Sequence, residues 1–292
     1  MIKFYKKYGG GYFLFTAPII ILFLIFFLYP VVISVFYSFT NWNGLSFSEF
    51  KGFDNYRFVF TYDTDFWNSF KFTGAYTLVN TIMLNLCAVI LAKILTTGIF
   101  GENKLRVTFF LPNMLSIVVV GIVWFFIFGQ LMNELFKNTG FAIFGIPWLT
   151  TFSTAVFSIS TVQTWAAIGW YTLIYVTGYQ NIPKELYEAC DVDGCSGLSR
   201  FFKITLPLLL PSITICLFTA LVQGLQMFDL VYAMTSGGPG RMTETVVLNI
   251  YNTSFRNMFY GFGSAKTVVL SVVVMIVGFT QIFLTRRKET AL

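Results

Sequence analysis

The chain has 292 residues, 56% of them hydrophobic, 20% aromatic and only 11% charged, a balance that excludes a soluble globular fold. The net charge of +6 stands in short runs beside long apolar segments and forms no basic stripe, which excludes nucleic acid as a partner. The absence of histidine excludes His-based triads, zinc sites and His proton relays, and the four cysteines fall in apolar segments or in a loop between them, so no disulfide framework is implied.

In chain order, the composition predicts an all-α polytopic membrane protein with six transmembrane helices. Lys3, Lys6 and Lys7 precede an uncharged run, 12–36, long enough to cross roughly 30 Å of hydrocarbon. It is too long for the apolar part of a signal peptide, and no small-x-small cleavage site follows. Pro18 and Pro30 are expected to kink this helix rather than end it. The stretch 41–71 mixes acids, bases and turn residues, with interfacial aromatics such as Phe66-Trp67. A second span is expected at 72–94 and a third, after a short loop holding Lys104 and Arg106, at 107–132. The third opens on Phe110-Leu111-Pro112-Asn113, where Pro112 frees a backbone carbonyl; such a break either packs as a kink or lines a cavity.

A brief exposed loop, 133–151, leads to a fourth span at 152–178, which carries Gln163, Trp165, Trp170 and Tyr171. Spans five and six are expected at 206–233 and 267–284, separated by a loop of mixed polarity. With both termini cytoplasmic, 12 of the 19 Lys and Arg residues fall on the inner side and the other seven are spread over much longer outer loops, as the positive-inside bias requires. The 182–205 segment then faces the cytoplasm.

That segment is the most polar of its size between two long apolar runs. Pro183 sits where a helix could begin, Glu185 and Glu188 complement its N-terminal dipole, and Gly194 supplies a left-handed end; Leu198, Phe201, Phe202 and Thr205 then recur at helical spacing. Two short helices joined by a tight turn are expected. The pattern Glu188-Ala189-Cys190, three residues, Gly194, nine residues, Ile204, one residue, Leu206-Pro207 resembles the E-A-A-x3-G-x9-I-x-L-P loop of ABC importer permeases. The resemblance implies that these residues form coupling helices that dock into a cytoplasmic ATPase. Cys190 departs from the family's Ala, but as a small hydrophobe it should pack similarly. A helix-turn-helix DNA-binding reading fails, because so short a polar segment between membrane spans cannot build an independent domain.

Further stretches resemble carbohydrate-uptake permeases of the maltose type, in particular the larger of the two maltose permease subunits. They are FFLYPVVISVFYSFTNW ending at Trp42, FKGFDNYRFVF, Phe109-Phe110-Leu111-Pro112, and Phe228-Asp229-Leu230-Val231-Tyr232 running on to Gly237-Gly238-Pro239. The chain lacks the large external insert of some such subunits. The resemblance implies a multi-pass subunit of a prokaryotic plasma membrane that forms a translocation path for a sugar, expected to be an oligosaccharide. It implies as partners a second, homologous but non-identical permease, two ATPase subunits and an external binding protein, with no cofactor or metal of its own.

For substrate contacts, Gln163, Trp165, Gly224 and Met227 match sugar-contacting positions of the maltose-type subunit, and Asn113 matches a further one. Gly224 and Met227 lack the amides that branch can carry there. Independently, intramembrane amides are costly unless partnered or wet, and Gln223, Gln226 and Met227 are spaced to share one face of span five. Gly261–Thr267, GFGSAKT, echoes a phosphate loop, but Ala265 stands where Gly must precede the Lys. An ion-gradient-driven secondary transporter is the alternative reading; it needs intramembrane ionisable groups, and Asp229 is the only candidate. A membrane enzyme lacks any nucleophile and base at motif spacing.

Overall fold

A computed structural model describes residues 15–46, 49–132, 134, 146–195 and 197–289, and among these every regular element is helical apart from an isolated bridge between Thr40 and Phe50. Most of the 133–151 loop lies outside the described residues. The chain divides into two compact units, one holding the residues up to Asp63 with Ile250–Ser271, the other Thr64–Asn249 with the residues from Val272 onward.

In the first unit, helix α1 (Phe15–Tyr37) turns its apolar side chains outward, and no residue of its apolar window is buried. Pro30 has no N–H, and its ring would collide with the carbonyl one turn back. The backbone widens into a π-helical turn, Leu24–Leu28, just before it, so the helix continues. Helix α2 (Asp54–Thr61) is tied to the end of α1 by Asn55, whose Nδ2 donates to the carbonyls of Ser38 and Thr40 at 2.8 Å each. Tyr56 Oη lies 2.6 Å from Ser38 Oγ. The aromatic segment resembling sugar permeases thus closes the turn after the first span.

The second unit begins with α3 (Thr64–Ile94), which starts at Thr64 rather than at 72. Asp65 in its first turn suits the helix dipole and pairs with Arg241, so the polar start is satisfied outside the apolar stretch. The expected third span is broken: α4 (Glu102–Phe110) passes through a 3-10 turn, Leu111–Met114, and α5 (Ile117–Phe126) leaves at 92° to it. Leu115 and Ser116, with ψ of 146° and 125°, are the extended residues of the break. Helix α6 (Phe152–Gln180) follows, then α7 (Lys184–Val192), α8 (Gly197–Leu208), α9 (Leu210–Leu225), α10 (Asp229–Thr235), α11 (Val246–Tyr251) and α12 (Tyr260–Glu289).

The stretch 206–233, expected as the fifth span, is not one continuous helix. Leu206-Pro207 belong to the last turn of α8, and α9 leaves at 72° to it because Pro211 offers no N–H to the carbonyl of Pro207. Residues 226–228 then interrupt the helix before α10. Helix α12, which contains the expected sixth span 267–284, starts at Tyr260. GFGSAKT is its first turns, where Gly261 N–H donates to Trp42 O at 2.8 Å and a Cβ would strike the Thr40 carbonyl. Its Lys266 is 3% exposed, 2.7 Å from the Asp63 carboxylate, and donates to Thr253 Oγ1 at 2.9 Å.

The core of the second unit lies where α3 packs on α6 and α9, through Leu84, Ala88, Ala92, Ala167, Tyr171, Tyr175, Cys216 and Ala220. Tyr175 donates to Asn85 Oδ1 at 2.6 Å and Asn85 Nδ2 to Thr81 O at 2.8 Å, so these polar groups are paired inside it. Gly169 lets α6 touch the break: a Cβ there would lie 2.5 Å from Phe109 O and 2.6 Å from Phe110 Cα, which are backbone atoms. Gly169→Ala should lower the unfolding temperature of the detergent-purified protein, by an overpacking cost of about 1–3 kcal/mol. Gly74→Ala, with nothing within 4 Å, should leave it unchanged or raise it; equal thermal shifts would contradict this close crossing.

By length and composition, α1, α3 and α12 are able to cross a membrane, and five spans result if each bent pair counts as one. Helix α6 is 29 residues long, but Ser158, Ser160, Thr164 and Thr172 are buried in it, polar residues that a helix enclosed by protein tolerates.

Candidate functional site

A cavity of about 480 Å³ opens at the break, within the size range of small-ligand sites. Pro112, Asn113, Leu115 and Ile117 line it from the break. From α6 come Gln163, Ala166, Ala167, Trp170 and Tyr171, whose spacing is one face of a helix. Gln223 reaches it from α9, and Gln226, Met227, Phe228 and Asp229 from the end of α9 and the start of α10. Tyr171 donates to Gln223 Oε1 at 3.4 Å, while the buried Gln163 Oε1 has no hydrogen-bond partner among the described residues. Among the described residues no Lys or Arg lines the cavity, and Asp229 is its one charged group.

Of the residues singled out in the sequence, Asn113, Gln163, Gln223 and Met227 meet here, and Trp165 and Gly224 do not. Trp165 is two residues from Gln163, about 200° around the helix, and faces Trp124 edge-on with ring centroids 5.8 Å apart. Gly224 is buried against α3, where a Cβ would lie 2.8 Å from Thr77 Cγ2. Gln223, Gln226 and Met227 reach one cavity but not one helix face, because α9 ends at Leu225 and Gln226 caps it. Trp170 and Tyr171 were noted in the sequence as residues of the fourth span but not as substrate contacts; they lie two turns from Gln163 on the same face of α6.

The 182–205 segment folds as expected into two helices and a tight turn. Gly194, at φ +70°, donates to Asp191 O at 3.2 Å, and Cys195 N–H reaches Cys190 O at 2.8 Å, the paired bonds of a left-handed helix end. Glu188 and Ala189 are exposed; Cys190 is 4% exposed, its Sγ donating to Cys195 O at 3.1 Å. The buried position is thus the one where Cys stands for Ala. Tyr187 Oη lies 3.3 Å from Thr205 Oγ1 and Arg200 pairs with Asp191, which clamps α7 to α8. Ile204, Leu206 and Pro207 are half-buried along α8.

Burial holds the Cys190 thiol above its ordinary pKa, while hydrogen bonding of the Cys195 sulfur with the side chains of Cys190 and Ser199 holds the Cys195 thiol below its own. Cys195 is thus the more thiolate-rich of the two near neutral pH. Iodoacetamide should therefore label Cys195 well before Cys190, as peptide mass spectrometry would read; equal labelling rates would contradict the packing of this turn.

Residues 84–290 match the family described as "Binding-protein-dependent transport system inner membrane component". The chain belongs to this family. The permease is 33% identical over 287 residues to the "Probable starch degradation products transport system permease protein AmyD" of Thermoanaerobacterium thermosulfurigenes, covering 98% of this chain and 97% of that protein. It is also 33% identical over 288 residues to the "Multiple sugar-binding transport system permease protein MsmF" of Streptococcus mutans, covering 98% of each. In fold it is similar to a chain of a bacterial ABC transporter involved in the import of the acidic polysaccharide alginate, with a TM-score of 0.80 at 21% identity over 98% of this chain and 99% of that one. It is accordingly a non-catalytic, multi-pass inner-membrane permease of an ABC importer that acts with a binding protein.

Proposed function

We propose that the permease forms half of a translocation path for a neutral sugar, expected to be an oligosaccharide, and that the cavity at the broken helix contacts it. The observation that carries this is the lining: four amides, Asn113, Gln163, Gln223 and Gln226, beside Trp170 and Tyr171, with one carboxylate and no cation among the described residues. Amides and aromatic faces suit a polyol; without a cation the cavity is poorly suited to phosphorylated or acidic glycans. The curated relatives named above for starch degradation products and multiple sugars support the same class.

On this reading the chain crosses the membrane six times with both termini inside, α6 and the two bent pairs each counting as one crossing. The α7–α8 hairpin then stands at the cytoplasmic face as the coupling element. A second, non-identical permease completes the pathway, two ATPase subunits hydrolyse ATP, and an external binding protein delivers substrate. Closing of the ATPases moves α7 and α8 as a lever, and the spans rock between inward-facing and outward-facing states. The two broken helices are elements able to change angle at Leu115–Ser116 and Leu209.

Gln163→Ala and Gln223→Ala in the assembled transporter should each lower uptake about tenfold, by the loss of a hydrogen bond or two of about 1 kcal/mol each. Assembly and basal ATP hydrolysis should persist, and Trp165→Ala, outside the cavity, should do less. Loss of assembly in both glutamine variants would mean that these amides hold helices together. Uptake into vesicles should need internal ATP and withstand an uncoupler; the reverse dependence would favour an ion-driven carrier.

A further inference from the structure

A second cavity, of about 710 Å³, lies where the C-terminal ends of α3 and α6 meet α7 and α8. Lys93, Lys184 and Arg200 line it, and among the described residues no carboxylate does. Lys93 and Lys184 are exposed and have no ion-pair partner among the described residues. Lys93 Nζ sits 5.9 Å from the centre of the Phe201 ring, a wall of the same cavity. Arg200 gives one terminal nitrogen to Asp191, but its Nε is buried without a hydrogen-bond partner. So is the hydroxyl of Tyr179, on the facing wall.

Converging cations repel, and buried N–H and O–H donors without acceptors are costly. One acceptor-only anion relieves both, since its oxygens take charge-assisted bonds from Lys and Arg while its charge offsets theirs. We infer that this cavity binds a phosphate group, as a phospholipid headgroup or as free phosphate. Its place at the ends of membrane helices suits a headgroup, because basic pockets between helices at a membrane surface retain anionic lipids. Free phosphate has the same chemistry and is a product of the ATP hydrolysis that drives such importers.

An occupant touching Lys93 on α3, Lys184 and Tyr187 on α7 and Arg200 on α8 bridges the hairpin to the membrane helices. Its presence therefore stiffens the lever, a consequence that rests on the proposed coupling role, whereas binding itself does not.

The test uses the complete transporter, exchanged into mixed phosphatidylcholine and phosphatidylglycerol, with retained lipid counted by native mass spectrometry and inorganic phosphate binding measured by calorimetry. The wild type should hold phosphatidylglycerol in preference to phosphatidylcholine, and a K93Q/K184Q transporter should hold about tenfold less, from the loss of two charges near the surface. K93R/K184R should restore retention, which a merely structural role of the lysine stems would not require. Phosphate binding lost in K93Q/K184Q, with lipid retention unaltered, would assign the site to free phosphate. Equal lipid retention by all three forms together with no phosphate binding overturns the inference. Binding that is lost in K93Q/K184Q while substrate-stimulated ATP hydrolysis stays normal leaves the site standing and removes its role in coupling.

Discussion

Replacing Gly194 by Val should abolish the ATP hydrolysis that substrate-loaded binding protein stimulates in the assembled transporter, and Glu188→Ala should do the same, with basal hydrolysis retained. At φ +70° a residue with a Cβ costs about 1–2 kcal/mol, and a β-branched one more, so the bonds from Gly194 to Asp191 and from Cys195 to Cys190 are lost together. The hairpin then presents α7 at a different angle to whatever docks on it. Glu188 is exposed beside Ala189, on a face whose small neighbour allows close approach, and deleting its contact with a partner removes roughly 1.5–3 kcal/mol. Gly194→Asn should retain coupling, because Asn tolerates the left-handed region. Normal stimulation in both Glu188→Ala and Gly194→Val would show that the α7–α8 hairpin does not transmit the signal.

Asp63→Ala should be among the most destabilising single substitutions in the chain, at about 3–5 kcal/mol, because it leaves the ammonium of a Lys266 that is 3% exposed without its partner at 2.7 Å. Thr253 Oγ1 and the Phe262 ring, 4.7 Å from Nζ, stay beside the ammonium, and as neutral groups they do not replace the carboxylate. The double variant Asp63→Ala, Lys266→Met should recover much of the loss, since an apolar side chain of similar length fills the site without a buried charge. Unfolding temperatures of the purified protein measure both. A double variant no more stable than Asp63→Ala would mean that packing around Asp63, not charge, is the source of the effect.

Much of the α7–α8 hairpin was legible because its determinants are local: a proline before the helix, acids in the first turn and a glycine at the left-handed end act within a few residues. The cavity at the broken helix was legible only in part. Gln223 stood out as an amide in an apolar run; Asn113, Gln163, Met227, Trp165 and Gly224 were chosen by matched position, and of these the first three meet Gln223 at the cavity while Trp165 faces Trp124 and Gly224 packs on Thr77. Whether a helical residue faces a cavity depends on rotation about the helix axis, and two positions are enough to carry it to the far side.

By itself the sequence determined that the chain is a helical membrane protein, roughly where its apolar helices lie, and which loop resembles a coupling element, because hydropathy and caps are properties of short stretches. Only the tertiary structure decided that Pro112 marks a 92° break rather than a packed kink, that α8 and α9 part at Leu209, and that GFGSAKT is a helix start with Lys266 buried. Those outcomes depend on what another element offers in space: the backbone of Phe109 against Gly169, the carbonyl of Trp42 for Gly261, the carboxylate of Asp63 for Lys266. No local pattern records such partners, because each is brought into reach by helices far apart in the chain.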